Sequence, residues 1–140
     1  MDGAADTATP ADRMPAVRTL AMPGDTNPAG DIFGGWLLSQ MDVAGGIVAY
    51  KRAGGRVATV ALDAMVFHAP VEVGDVVSCY ADVVSVGRSS LTVHVETWVE
   101  RARTGAPVKV TNGSFTYVAL APDGEKRQVP DSATPRAGRW

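Results

Sequence analysis

Residues 34–53 constrain this chain more than any other stretch. They contain no proline and are apolar on most sides, with Trp36, Leu37, Leu38, Met41, Val43, Ile47 and Val48 spread around the circumference. The pattern predicts a helix over residues 34–53, closed by Gly54-Gly55. A helix that is apolar on most faces cannot lie on a surface, so other elements must wrap it.

The rest of the chain supplies the wrapping. Residues 17–22 form a short strand candidate. Residues 23–31, Pro-Gly-Asp-Thr-Asn-Pro-Ala-Gly-Asp, are a dense run of turn formers and predict a loop with no helix or regular strand. Four long Val-rich strands follow the helix, over 56–68, 75–86, 90–101 and 108–120. The third of these alternates, with Leu91, Val93, Val95 and Val99 on one face and Ser90, Thr92, His94 and Glu96 on the other. Consecutive strands with short turns imply an antiparallel sheet, and the lone helix must pack against one of its faces. The expected class is α+β: about five antiparallel strands curled around one central helix. Such a molecule leaves sheet edges and apolar surface uncovered, so oligomerisation is expected. Residues 1–16 and 131–140, rich in Ala, Pro, Asp and Arg, read as flexible tails around a domain spanning 17–130, although Trp140 could dock on a surface.

Composition narrows the function. The 140 residues are 46% apolar and 20% charged, enough for one domain with a real core. Thirteen Lys and Arg against fifteen Asp and Glu leave a net charge of −2, which gives no electrostatic case for nucleic acid or an anionic membrane. A single cysteine excludes an internal disulfide and any multi-cysteine zinc site, and it suits a reducing, cytoplasmic setting. The N-terminus lacks a signal-peptide pattern and no segment has the apolar length of a spanning helix. His68 and His94 lack an acid at triad or ligand spacing, and Cys79 reads as a packed thiol.

Asp42 is the sharpest feature. On a helical projection it emerges among Gly35, Leu38, Ser39, Gly45, Gly46 and Ala49, a stripe of mostly small side chains that a backbone or ligand can approach. The opposite side, with Gln40, Ala44 and Lys51, looks wetter. Two readings stand: a solvated or backbone-tied carboxylate, or a desolvated one with raised basicity for general-base or nucleophilic work. Ahead of it, Gly34-Gly35 at the helix start leave N–H groups uncovered at the positive end of the helix dipole, either for close packing on a strand or as an oxyanion hole. Gly34 lies eight residues before Asp42, about 12 Å along a helix. One site cannot use both from one chain, but two antiparallel helices of a two-fold dimer could bring them together.

At these residues the sequence resembles a known family. Residues 26–36, Thr-Asn-Pro-Ala-Gly-Asp-Ile-Phe-Gly-Gly-Trp, followed by Ser39-Gln40-Met41-Asp42, resemble the signature of the YciA-type acyl-CoA thioesterases, hotdog-fold enzymes related to the brain acyl-CoA hydrolases. The resemblance runs on through residues 55–60, Met65-Val66-Phe67, Val73-Gly74-Asp75, Gly87 to Ser90 and 115–119, so it covers nearly all of 17–130. It implies hydrolysis of acyl-CoA to a free acid and coenzyme A, with no cofactor beyond the CoA of the substrate and no metal. It places the catalytic carboxylate on Asp42, the oxyanion donor on Gly34 with Gly35 adjacent, and a loop asparagine on Asn27, which could instead make an Asx turn before Pro28. The implied assembly is a homodimer, gathered into a trimer of dimers. For the CoA phosphates the candidates are Arg88 with Ser89 and Ser90, then Lys109, Arg101 and Arg103. Thr59 could contact the pantetheine arm. Met65, Phe67 and Trp36 could line the acyl channel or simply pack in the core. Two other functions compete: a hotdog hydratase, which needs a His near the helix where no His precedes His68, and a non-catalytic acyl-CoA sensor.

Overall fold

A computed structural model describes residues 13–132; Trp140 lies outside the described residues. The chain runs β1 (Val17–Leu20), α1 (Gly34–Ala53), β2 (Val57–Phe67), β3 (Val76–Val86), β4 (Ser90–Glu100) and β5 (Pro107–Ala119). The strands form one antiparallel sheet in the order β1-β3-β4-β5-β2. The helix touches every strand, so the sheet does wrap it.

The helix forms where the apolar stretch predicts. Its buried line is Leu37, Met41, the pair Ala44 and Gly45, Ala49 and Ala53, one helical turn apart, and it seats on Val77, Cys79, Leu91, Val93, Val95, Phe115 and Tyr117 of the sheet. Gly54 ends it in the left-handed conformation (φ 72°), its N–H donating to the Tyr50 carbonyl, with Lys51 and Arg52 in the last turn favouring the negative end of the dipole. The wetter side expected around Gln40, Ala44 and Lys51 holds in part: Lys51 is exposed and Gln40 half-buried, but Ala44 is fully buried. The open line instead runs through Gly35, Ser39 and Val43.

Two other expectations change. The turn-rich segment holds a short 3-10 turn at Pro23–Asp25, because Pro23 fixes the starting φ and Asp25 Oδ2 accepts from Met22 N–H. β3, β4 and β5 pair in chain order, as consecutive strands with short turns imply, but β2 does not join β3. β2 pairs with β5 at one end of the sheet, so residues 68–75 must carry the chain across to β3. Within the segment read as a flexible N-terminal tail, residues 13–16 are tied down: Arg13 Nη2 donates to both Asp82 oxygens at 2.9 Å, and Ala16 N–H donates to the Cys79 carbonyl. At the other end Arg52 donates to the carbonyls of Pro130 and Asp131.

β2 has a strand neighbour on one side only and carries exposed Val60, Leu62, Val66 and Phe67, beside the exposed Phe33 and Val43 of the α1 region. A bulge between Asp63 and Val66, with Ala64 at φ 52°, interrupts this edge and turns Met65 inward onto Gly113.

Candidate active site

Three elements meet at Asp42. Thr59 on β2 and Tyr117 on β5 are direct partners across the ladder, and both side chains face α1. Thr59 Oγ1 donates to Asp42 Oδ1 at 2.7 Å, and the Tyr117 hydroxyl donates to the same Oδ1 at 2.9 Å. The hydroxyl also lies 3.0 Å from the Asp42 main-chain carbonyl. No Lys, Arg or His comes within ion-pair distance of Asp42 among the described residues. The carboxylate is half-buried, held by two neutral donors, with Oδ2 left open.

Tyr117 is almost wholly buried, and its hydroxyl is driven far above the ordinary phenol range. Burial is the main cause, followed by the hydrogen bond to Asp42 and that group's negative charge; Thr59 offsets a little. The phenol is therefore a permanent donor at any pH the protein meets. It is also the functional side chain that the sequence reading missed. The alternation Phe115, Tyr117, Ala119 along β5 places a tyrosine on the core face, and a buried tyrosine hydroxyl needs a partner. Nothing in the sequence says which residue that partner is until the register is known.

The small-residue stripe around Asp42 is accordingly not one open crevice. Its Gly45 side is filled: a Cβ there would collide with the Tyr117 oxygen and sit 3.2 Å from Cε1 and Cζ. Its other side, Gly35 and Ser39, is exposed. Thr59 is part of the site, and its hydroxyl proton is engaged by Asp42.

At the helix start, Phe33 occupies the N-cap without a capping side chain, and the amides of Gly34, Gly35 and Trp36 find no acceptor among the described residues. Close packing on a strand does not explain these glycines. A Cβ on Gly35 would meet nothing within 4 Å, and one on Gly34 would meet only Phe67 Cζ at 3.9 Å. Asn27 sits nearby in a loop folded back on itself, with Phe33 N–H donating to the Asp25 carbonyl and a bridge between Thr26 and Ile32. Its Oδ1 accepts from the amides of Ala29 (2.9 Å) and Asp31 (3.1 Å), which is the Asx-turn reading; its amide NH2 has no acceptor among the described residues.

The other candidates disperse. Gly87 to Ser90 form the β3–β4 turn at the helix C-terminal end, where the Arg88 and Ser89 carbonyls accept from Val129 and Ala119. Beside it is a cavity of about 380 Å³ lined by Arg52, Arg88, Gln128 and Asp131, among others. Lys109 is elsewhere. It pairs with Glu96 at 3.8 Å on the face away from the helix, opposite Trp98, eight residues or about 26 Å of strand from Ser90. Arg101 donates to buried Asp75, and Met65 accepts a hydrogen bond from Thr111 in the core, so both are structural here; Arg103 is exposed near Glu72 and Val73. Trp36 packs partly buried against the core.

The profile of the Thioesterase superfamily matches residues 29–106. The chain belongs to this family. It is 51% identical over 117 residues to the acyl-CoA thioester hydrolase YciA of Salmonella typhimurium, covering 81% of this chain and 88% of that protein. A hexameric hotdog-fold thioesterase of Campylobacter jejuni superposes with a TM-score of 0.82 at 43% identity, over 85% of this chain and 92% of the other. An acyl-CoA hydrolase from Staphylococcus aureus, solved with butyryl coenzyme A and coenzyme A, gives a TM-score of 0.76 at 30% identity, over 86% and 73%. The fold is thus a hotdog, five antiparallel strands around one long helix, as the sequence resemblance implies.

Proposed function

We propose that this protein hydrolyses the thioester of acyl-coenzyme A to a carboxylic acid and free CoA, in a site shared between two copies of the chain. The observation that carries this reading is a carboxylate with no cationic partner among the described residues, anchored through one oxygen and open at the other, on the same helix as an uncapped, glycine-lined N-terminus. The two features are about 12 Å apart along one helix, too far for one reacting carbon.

A second copy solves the distance. The exposed apolar residues on α1 and β2 form one face, and two such faces related by a two-fold axis place the helices antiparallel. The first turn of one helix then lies beside Asp42 of the other. The hexameric relatives support grouping such dimers in threes.

The chemistry follows. Amides of Gly34 and Gly35 polarise the thioester carbonyl and take up the negative charge as the carbon becomes tetrahedral. Asp42 either removes a proton from the attacking water or attacks the carbonyl itself, forming an anhydride that water then opens. Collapse expels the CoA thiolate. The free NH2 of Asn27 is suited to hold the water or carbonyl oxygen. Phe67, beside Gly34, is placed to contact the acyl chain, and Arg88 with Ser89 and Ser90 to meet the phosphates of CoA. The buried free thiol supports a reducing cytoplasmic setting.

Release of thiol from a panel of acyl-CoAs, followed with a thiol reagent, tests the proposal. Turnover that disappears in Asp42→Ala is expected. Tight binding of acyl-CoA with no turnover on any chain length would instead make the protein a sensor.

A further inference from the structure

Tyr117 reaches Asp42 through a gap that exists only because residue 45 is glycine. In the interior of a helix, alanine is favoured over glycine by about 1 kcal/mol, so a buried mid-helical glycine needs a reason. Here the reason is steric. The Tyr117 hydroxyl occupies the space a Cβ would take, and from there it contacts two atoms of Asp42, the main-chain carbonyl and Oδ1. An interior helical carbonyl already accepts a bond from the amide four residues on. The second contact therefore does not repair an unsatisfied group; it ties the carboxylate to the helix backbone.

Building on the thioesterase reading above, we infer that Tyr117, seated on Gly45, is a positioning residue that together with Thr59 locks Oδ1 of Asp42 and so selects Oδ2 as the oxygen that works on the substrate. Two donors at 2.7 and 2.9 Å saturate the in-plane acceptor directions of Oδ1. With one oxygen held, rotation about the terminal bond of Asp42 is frozen, and the other oxygen has a fixed direction. The donor that does this is buried and cannot ionise in the working range, so the clamp persists at every pH at which the enzyme acts. Tyr117 makes no contact with substrate in this scheme and transfers no proton.

Tyr117→Phe removes the hydroxyl and keeps the ring stacked on Phe115, whose centroid is 6.4 Å away. The expected result is a kcat lowered about tenfold, from loss of a hydrogen bond to a charged group, with KM within about twofold. Gly45→Ala lowers kcat at least as much in the wild type, but by less than about threefold in the Tyr117→Phe background, where the collision with the oxygen is relieved. In an Asp42→Asn background Tyr117→Phe has no further effect. An inactive Asp42→Asn beside a Tyr117→Phe enzyme with wild-type kcat would overturn the clamp and leave the thioesterase reading intact. Full activity of Asp42→Asn would overturn the clamp and the role of Asp42 in the reaction, whereas a wild type that turns over no acyl-CoA would overturn the thioesterase reading. Additive losses from Gly45→Ala and Tyr117→Phe would also overturn the clamp, by making each residue merely structural.

Discussion

Asp42 and Asp75 are two aspartates packed near one sheet, and their surroundings divide them. Asp75 is fully buried behind the turn at Gly74. Its Oδ2 accepts from Arg101 Nη1 at 2.7 Å and from the Glu72 amide at 2.8 Å, and its own main chain joins β1 to the turn. A cation and a backbone amide hold Oδ2 inside a closed protein shell, where Oδ1 is buried with no hydrogen-bond partner among the described residues. Asp42 is half-exposed, has no cation within reach among the described residues and is steadied by two hydroxyls on one oxygen. A buried charge with a matched partner holds structure together and has little left to offer a reactant. A carboxylate held by neutral donors keeps its charge available and its direction fixed, which is what a base or nucleophile needs. The residue type is the same, and the partner decides the role.

The sharpest way to break this division is to neutralise each carboxylate in turn. Asp42→Asn should reduce kcat on acyl-CoA at least about 10²-fold, the scale of general-base effects. Its melting temperature should stay near wild type, because only hydroxyl donors are disturbed. Asp75→Asn should do the opposite. It leaves the mostly buried Arg101 with Glu72 at 3.7 Å as its remaining counter-charge, and the expected cost is about 2–3 kcal/mol of folding stability, read by urea unfolding. Turnover per folded molecule should remain within about threefold. An Asp75→Asn protein that is stable but inactive would erase the distinction drawn between the two sites.

The division was only half legible in the sequence. The helix, the strands and Asp42 were readable because hydrophobic period, proline placement and Gly54-Gly55 act locally, within a few residues. The family signature around Asn27, Gly34 and Asp42 is likewise contiguous. What could not be read were partnerships across the sheet. Arg101 looked like a phosphate ligand because its distance to Asp75 depends on the pairing of β3 with β4. Lys109 and Arg88 were both candidates for the CoA phosphates, and only the register shows that Lys109, opposite Trp98, lies far along β4 from the turn that holds Arg88. Tyr117 was invisible as a site residue for the same reason. Its link to Asp42 joins residues 75 apart, and a gap at Gly45 that only packing reveals makes it possible.

A smaller effect separates the two regions by their completeness. Everything around Asp75 comes from one chain, whereas the proposed chemistry at Asp42 needs a second copy against α1 and β2. Val43 lies next to Asp42 in sequence and is 54% exposed. Val43→Glu would place a charge in that contact, so it should shift the protein to a smaller species in light scattering. Specific activity should fall about tenfold at dilute concentration, as the shared sites come apart. Urea unfolding of the protomer should move little. A Val43→Glu monomer with full activity would show that Asp42 works within its own chain.

The smallest predicted effect measures how dry the closed region is. Cys79 lies on β3 with its side chain fully buried, accepting a weak hydrogen bond from Thr97 Oγ1 at 3.4 Å. Burial raises its thiol from 9.0 to about 11, with the Thr97 contact pulling slightly the other way. A thiol that holds its proton longer when folded than when unfolded lets the unfolded state lose protons first as pH rises. The stability this gives is present in full below pH 9 and drains away between pH 9 and about 11. Between pH 9 and pH 10 the fall from this one group should be about 1 kcal/mol. Other groups titrate in that window too, so the useful quantity is the difference between wild type and Cys79→Ala in urea unfolding at the two pH values. If the difference does not change with pH, water reaches the thiol. The contrast would then rest on Asp75's ion pair alone, without the dry shell around it.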